Sequence, residues 1–183
     1  MTQRIPSIQP NDAAGKTKEL FDGVKAKIGL VPNIYKVIAQ SPTGLEGVLQ
    51  FSGALASGSL NAATRERIAL AVANVNGCDY CNAAHTAVAK SLKLSAEEIE
   101  ANRQGHSSDT QANVAVAFAR KVAVTRADVT EGDVQALREA GYSEAQIVEI
   151  VLNVAFNVVT NYVNEAFKTD IDFPRAAPAA RAA

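Results

Sequence analysis

The segment "NGCDYCNAAH", Asn76 to His85, holds both cysteines of the chain and one of its two histidines. Rare residues scattered at random do not crowd together in this way. Gly77 stops the preceding helix, and a new helix is predicted from Cys78 to about Leu92. On that helix Cys78, Cys81 and His85, spaced by three and four residues, share one face. Two thiols one turn apart at a helix start can close a disulfide if the first turn permits it. The helix N-terminus and the CxxC arrangement both favour the reactive thiolate. An imidazole beside a thiol can take its proton or stabilise its anion. His85 lies one turn from Cys81 and two from Cys78, so it serves Cys81 more directly. Cys78, nearer the helix end, is expected to resolve an oxidised Cys81 and to meet an external reductant.

Working outward, helix signals dominate. Helices are predicted over Thr17–Ile28, ended by Gly29, and from Pro32 to about Gln40. "SPTGLEGVLQFSGALASG" carries Pro42 in a first turn and apolar residues at helical spacing. Asn61 is a good N-cap for "AATRERIALAVANVN", whose second half is apolar all round and therefore core. Ser95 caps "AEEIEANRQ", with acidic residues in the first turn. Further helices fit Thr110–Ala123, Glu131–Ala140, and Ser143 to about Phe167, the last broken near Thr160. No segment alternates with period two. The prediction is a single all-α domain over 1–183, with residues 1–14 an extended arm and 174–183 a loose tail.

At an offset of 83, "GSLNAATRERIALAVANVNGC" lies over "GYSEAQIVEIVLNVAFNVVTN". Gly58 falls on Gly141, Ala62 on Ala145, Glu66 on Glu149, Asn74 on Asn157 and Val75 on Val158. The reactive positions do not carry over, because Cys78, Cys81 and His85 fall on Asn161, Asn164 and Lys168. The pattern reads as a duplicated two-helix unit whose first copy alone keeps the chemistry.

Bulk properties narrow the function. The chain is 48% hydrophobic and 20% charged, a globular composition, and its net charge of −1 comes with scattered Lys and Arg. No basic footprint for nucleic acid appears. "MTQRIPSIQP" has no apolar core of a signal peptide. The most apolar stretch, Ile147–Val163, carries Glu149, Asn153, Asn157 and Asn161, which argues against a membrane span. A cytoplasmic protein is expected, and in a reducing compartment paired cysteines point to catalysis or metal binding.

Glu66, eleven residues, Cys78-Asp79-Tyr80-Cys81, three residues and His85 resemble the signature of AhpD-like alkylhydroperoxidases in the carboxymuconolactone decarboxylase family. That resemblance implies a duplicated all-helical fold and reduction of organic hydroperoxides in antioxidant defence. It further implies that Cys81 attacks the peroxide, that Cys78 resolves it as a disulfide, and that Glu66 and His85 relay protons. It implies an external dithiol as reductant (a lipoyl group or a thioredoxin-like protein), a trimer or hexamer, and no metal or organic cofactor. Where the best-known members have a histidine before the second cysteine, this chain has Tyr80. Other branches of the family are cofactor-free decarboxylases or lactone-handling enzymes, which generally lack the cysteine pair. A thiol redox sensor without turnover is a third reading.

Plainer readings stand beside these. Cys78, Cys81, His85 and Glu66 could supply four zinc ligands, although the chain has no second Cys or His pair. Haem attachment fails because Asn82 follows Cys81, and no βαβ pattern supports a thioredoxin fold. Glu66 alone is an ordinary surface glutamate; its distance from Cys78 and the apolar helix after it raise its standing. His106 reads as an exposed loop residue without a role. Tyr80, about 100° round the helix from Cys81, is expected at the substrate entrance or at a subunit boundary. Asn74, Asn153 and Asn157 interrupt apolar helices and are expected to hydrogen-bond across the core.

Overall fold

The computed structural model describes residues 2–176, and among them every regular element is an α-helix. In chain order these are α1 (Gly15–Ile28), α2 (Asn33–Ile38), α3 (Pro42–Ala56), α4 (Ala62–Val75), α5 (Asp79–Ser91), α6 (Ala96–Arg103), α7 (Thr110–Thr125), α8 (Glu131–Glu139) and α9 (Glu144–Phe167). The expected all-α architecture is present. Its helix starts follow side-chain chemistry. Asn61 accepts the Thr64 amide at 2.8 Å, Ser95 the Glu98 amide at 3.1 Å, and Asp109 the Ala112 amide at 2.9 Å. Each bond satisfies a donor that the first turn leaves without a helical partner.

The middle of α4 explains the layout. Ile68 through Ala73 are six consecutive buried residues, apolar on every side. A helix with no polar face must be surrounded, and α4 is flanked by α5, α6, α7 and α9. Ile68 and Val72 join Phe118 and Val122 of α7 and Ile147, Ile150 and Val154 of α9 in the largest core cluster. Burying each such side chain is worth about 1.5–3 kcal/mol.

Two predicted features differ. First, α9 runs unbroken through Thr160. The offset of 83 lays Thr160 over Gly77, whose φ of +65° an L-residue adopts only with strain. There the Cys78 amide returns to the Ala73 carbonyl and the Gly77 amide to that of Asn74, which closes α4 and redirects the chain. Thr160 supplies no such turn; its hydroxyl donates to the Asn157 carbonyl and the helix continues. Second, the N-terminal arm, expected to be loosely ordered over residues 1–14, is tied to the rest of the fold from Gln3 onward. The Arg4 amide donates to the Phe167 carbonyl, the Ile8 amide to Lys36, and the Asp170 amide to the Gln3 side chain. Of the expected tail 174–183, residues 177–183 lie outside the described residues.

By length and composition α9 is apolar enough to cross a membrane. Its polar stripe explains why it packs as a core helix instead. Asn153, Asn157, Asn161 and Asn164 are all buried, on one face, against the rest of the protein.

Candidate active site

The turn at Gly77 delivers Cys78 as the N-cap of α5, and the Cys81 amide donates to the Cys78 sulfur at 3.2 Å. Cys78 and Cys81 are joined as a disulfide, with Cα atoms 5.3 Å apart. Both sulfurs are covered. Cys78 is 0% and Cys81 3% exposed, so Cys78 is the more covered of the two, against the expectation that it faces an external reductant. The cause is packing by Ile34, Tyr80, Ile171 and Phe173 around the start of α5.

Tyr80 is the bolt of that cover. Its hydroxyl donates to Asp172 Oδ1 at 2.8 Å and accepts the Ile34 amide at 3.2 Å, while its ring meets Phe173 edge-on. Burial pushes the phenol far above its ordinary pKa, and the Asp172 charge adds to this against the opposing Ile34 amide. Tyr80 is buried and fastens residues 171–173 over the cysteines, a role that the sequence reading of an entrance or boundary residue did not foresee.

On the neighbouring face, His85 Nδ1 and Glu66 Oε1 are 2.6 Å apart, with side chains 25% and 13% exposed. The fold-back at Gly77 sets α4 against α5 and so brings residue 66 to residue 85. Burial opposes the imidazolium, but the Glu66 carboxylate and its hydrogen bond outweigh it and hold the His85 pKa above its usual value. Asn157, beside the ring, pushes weakly the same way, although its Oδ1 makes no hydrogen bond of good geometry. A cavity of about 160 Å³ opens onto this pair, walled by Leu55, Arg65, Ala69, Phe156 and Asn157. Neither sulfur is part of that wall. His85 belongs both to the cavity and, one turn along α5, to the surroundings of Cys81. No hydrogen bond joins His85 to a sulfur among the described residues, as fits a disulfide with no proton to give.

The other predicted residues fall as follows. His106 is exposed, and its carbonyl accepts from Asn102. Asn153 and Asn157 donate to carbonyls one turn back in their own helix, at 2.7 and 2.8 Å, instead of across the core. The bonds that do cross the core come from two other asparagines. Asn76 donates to Asn161 Oδ1 at 2.8 Å, and Asn164 Nδ2 donates to Cys81 Sγ at 3.3 Å. Among the described residues, no group of three or more His, Cys, Asp or Glu side chains is arranged to hold a metal ion. Glu149, which the offset of 83 lays over Glu66, holds the loop between α3 and α4. It accepts the Ser59 and Leu60 amides at 2.9 Å, and these contacts hold its pKa below the usual carboxylate range.

A buried CxxC disulfide beside a Glu–His pair sits here on an AhpD-like helical fold. Residues 42–123, just under half of the chain, match the Carboxymuconolactone decarboxylase family (CMD). An AhpD-core, peroxidase-related protein from Ralstonia eutropha JMP134 superposes with a TM-score of 0.84 at 23% identity, over 93% of this chain and 92% of that one. A peroxidase-related protein from Silicibacter sp. TM1040 gives 0.80 at 27% identity, over 91% and 88%. The debrominase Bmp8, in a complex with 2,3,4-tribromopyrrole, gives 0.80 at 20% identity, over 94% and 93%. No curated protein matches the chain in sequence.

Proposed function

We propose that the protein is a thiol peroxidase that reduces alkyl hydroperoxides through Cys78 and Cys81. In the reduced enzyme His85, oriented by Glu66, accepts the Cys81 proton. The Cys81 thiolate attacks the terminal peroxide oxygen; the O–O bond breaks, an alcohol leaves with one proton, and Cys81 becomes a sulfenic acid. The Cys78 thiol condenses with it, water leaves, and the disulfide forms. An external dithiol then returns two electrons and two protons, and is itself oxidised. A lipoyl group or a thioredoxin-like protein has the required chemistry. No metal or organic cofactor takes part. The observation that carries this reading is the closed Cys78–Cys81 bridge one helical turn from a carboxylate-held imidazole. Self-association into a trimer or hexamer is part of the proposal; exposed Val148, Leu152, Val159 and Tyr162 on α9 support it.

Reduced protein should consume cumene hydroperoxide with one disulfide formed per peroxide, and should cycle when a dithiol is supplied. Cys81→Ser should abolish turnover, and undiminished turnover in that variant refutes the reading. One oxidation without cycling indicates a sensor instead. A second reading uses the same two electrons on a halogenated ring. The apolar lining of the cavity, Leu55, Ala69 and Phe156, and the fold shared with a debrominase favour testing it. Bromide release from a bromopyrrole without peroxide turnover selects it.

A further inference from the structure

Which of the two sulfurs becomes the thiolate is not decided by helix geometry, which favours the wrong one. Cys78 is the N-cap of α5 and receives the Cys81 amide, so the helix end stabilises negative charge on Cys78. Cys81, inside the first turn, accepts from no backbone donor among the described residues. What it has instead comes from α9: the side-chain amide of Asn164, 2% exposed, donates to Cys81 Sγ at 3.3 Å. Its Oδ1 has no hydrogen-bond partner among the described residues. A buried amide that leaves its acceptor end unpaired while its donor end meets a sulfur loses free energy unless that donor is well used. A disulfide sulfur is a weak acceptor and a thiolate is a strong one, so the contact strengthens on reduction.

We infer that Asn164 is the group that makes Cys81, rather than Cys78, the thiolate of the reduced protein. It does so from the position that the offset of 83 lays over Cys81 itself. The assignment rests on the proposed redox role of the pair, but its measurement needs no peroxide. The titratable groups near Cys81 are Cys78, Tyr80 and His85 on α5, Tyr35 on α2, Asp172 bonded to Tyr80, and Glu66 bonded to His85. The polar residues on the buried face of α9 are asparagines only. All of these charges stay in place when Asn164 alone is changed.

In a Cys78→Ser background Cys81 is the sole cysteine, so the ultraviolet absorbance of the thiolate reports it directly. Its midpoint should lie below the ordinary thiol value of about 8.5. Asn164→Leu should raise that midpoint by about 1–2 units, a roughly 10- to 100-fold loss of thiolate, as expected for a hydrogen bond to a charged group. Asn161→Leu, which breaks the neighbouring bond to Asn76, should lower Tm and leave the midpoint unmoved. With both cysteines present, the glutathione equilibrium of Asn164→Leu should shift toward disulfide, and by less as pH falls below the wild-type midpoint. An Asn164-intact midpoint at or above the ordinary value overturns the assignment without any Asn164 variant having to fold. Equal shifts in the two leucine variants overturn it as well, since both then report packing alone. A normal midpoint shift with no peroxide turnover leaves the assignment standing and refutes the peroxidase reading.

Discussion

Replacing Glu66 by Gln removes one charge and changes almost nothing in shape. The Glu66 carboxylate meets His85 at 2.6 Å with both side chains mostly covered, so the bond is a charge-assisted one. Such bonds contribute about 1.5–3 kcal/mol; with a quarter of the imidazole exposed, the lower end, about 1.5 kcal/mol, is the figure to use. For a chain of this length that corresponds to about 3–6 °C in Tm. The sign with pH follows from the raised pKa of His85. Protonation is favoured in the folded state, so this stability is fully present below the unfolded value of about 6.5 and is lost as pH rises through the folded value. The gap in Tm between the wild type and Glu66→Gln should therefore be widest in mild acid and should shrink in alkali. Activity should move in a linked way. If neutral His85 is the base, the acid limb of the rate profile should shift to lower pH in Glu66→Gln, while the plateau falls because the ring is no longer oriented. Scanning calorimetry and peroxide consumption across a pH series measure both quantities. A gap independent of pH, or an acid limb that shifts upward, refutes the coupling.

Two other perturbations probe the cover and the scaffold. Tyr80→Phe leaves the Ile34 amide without its acceptor and Asp172 held by the Asn33 amide alone; about 1 kcal/mol, or roughly 2–4 °C in Tm, should be lost. A small dithiol should then reduce the disulfide faster, and an unchanged reduction rate refutes the assignment of residues 171–173 as its cover. Glu98 is buried, accepts Arg67 Nε at 2.7 Å, and is bonded by Ser107, Ser108 and Asn102. Burial raises its pKa, but these bonds overcome the effect and hold it far below the carboxylate range. Glu98→Gln should cost about 3 kcal/mol at neutral pH by leaving Arg67 unpaired. A depressed pKa contributes above the unfolded value of about 4.3 and fades as pH falls, so urea denaturation in acid should show a smaller deficit.

What could be read from the sequence was local. Asn61, Ser95 and Ser143 announced helix starts because each cap is satisfied within three residues. The CxxC-x3-H face could be read because a helix fixes it, and Gly77 because a positive φ selects glycine. Contacts between distant segments were not legible. Tyr80 meets Asp172 across 92 residues, and nothing near either of them signals the other. The stripe of asparagines in α9 was visible as polarity without direction. Asn153 and Asn157 were expected to reach across the core and turn back to their own helix, while Asn161 and Asn164 make the crossings. The offset of 83 laid residue 164 on residue 81, and in the structure these two residues are in contact. The break expected near Thr160 is absent, since no glycine stands there to turn the chain as Gly77 does.

The bend between α4 and α5 has a chemical consequence. Were residues 62–91 one straight rod like α9, every main-chain amide near position 81 would be engaged by a carbonyl one turn back, and no end would exist there for a sulfur to cap. By snapping the rod at a single glycine, the chain turns spent donors into available ones in the middle of its own interior, where water cannot compete for them.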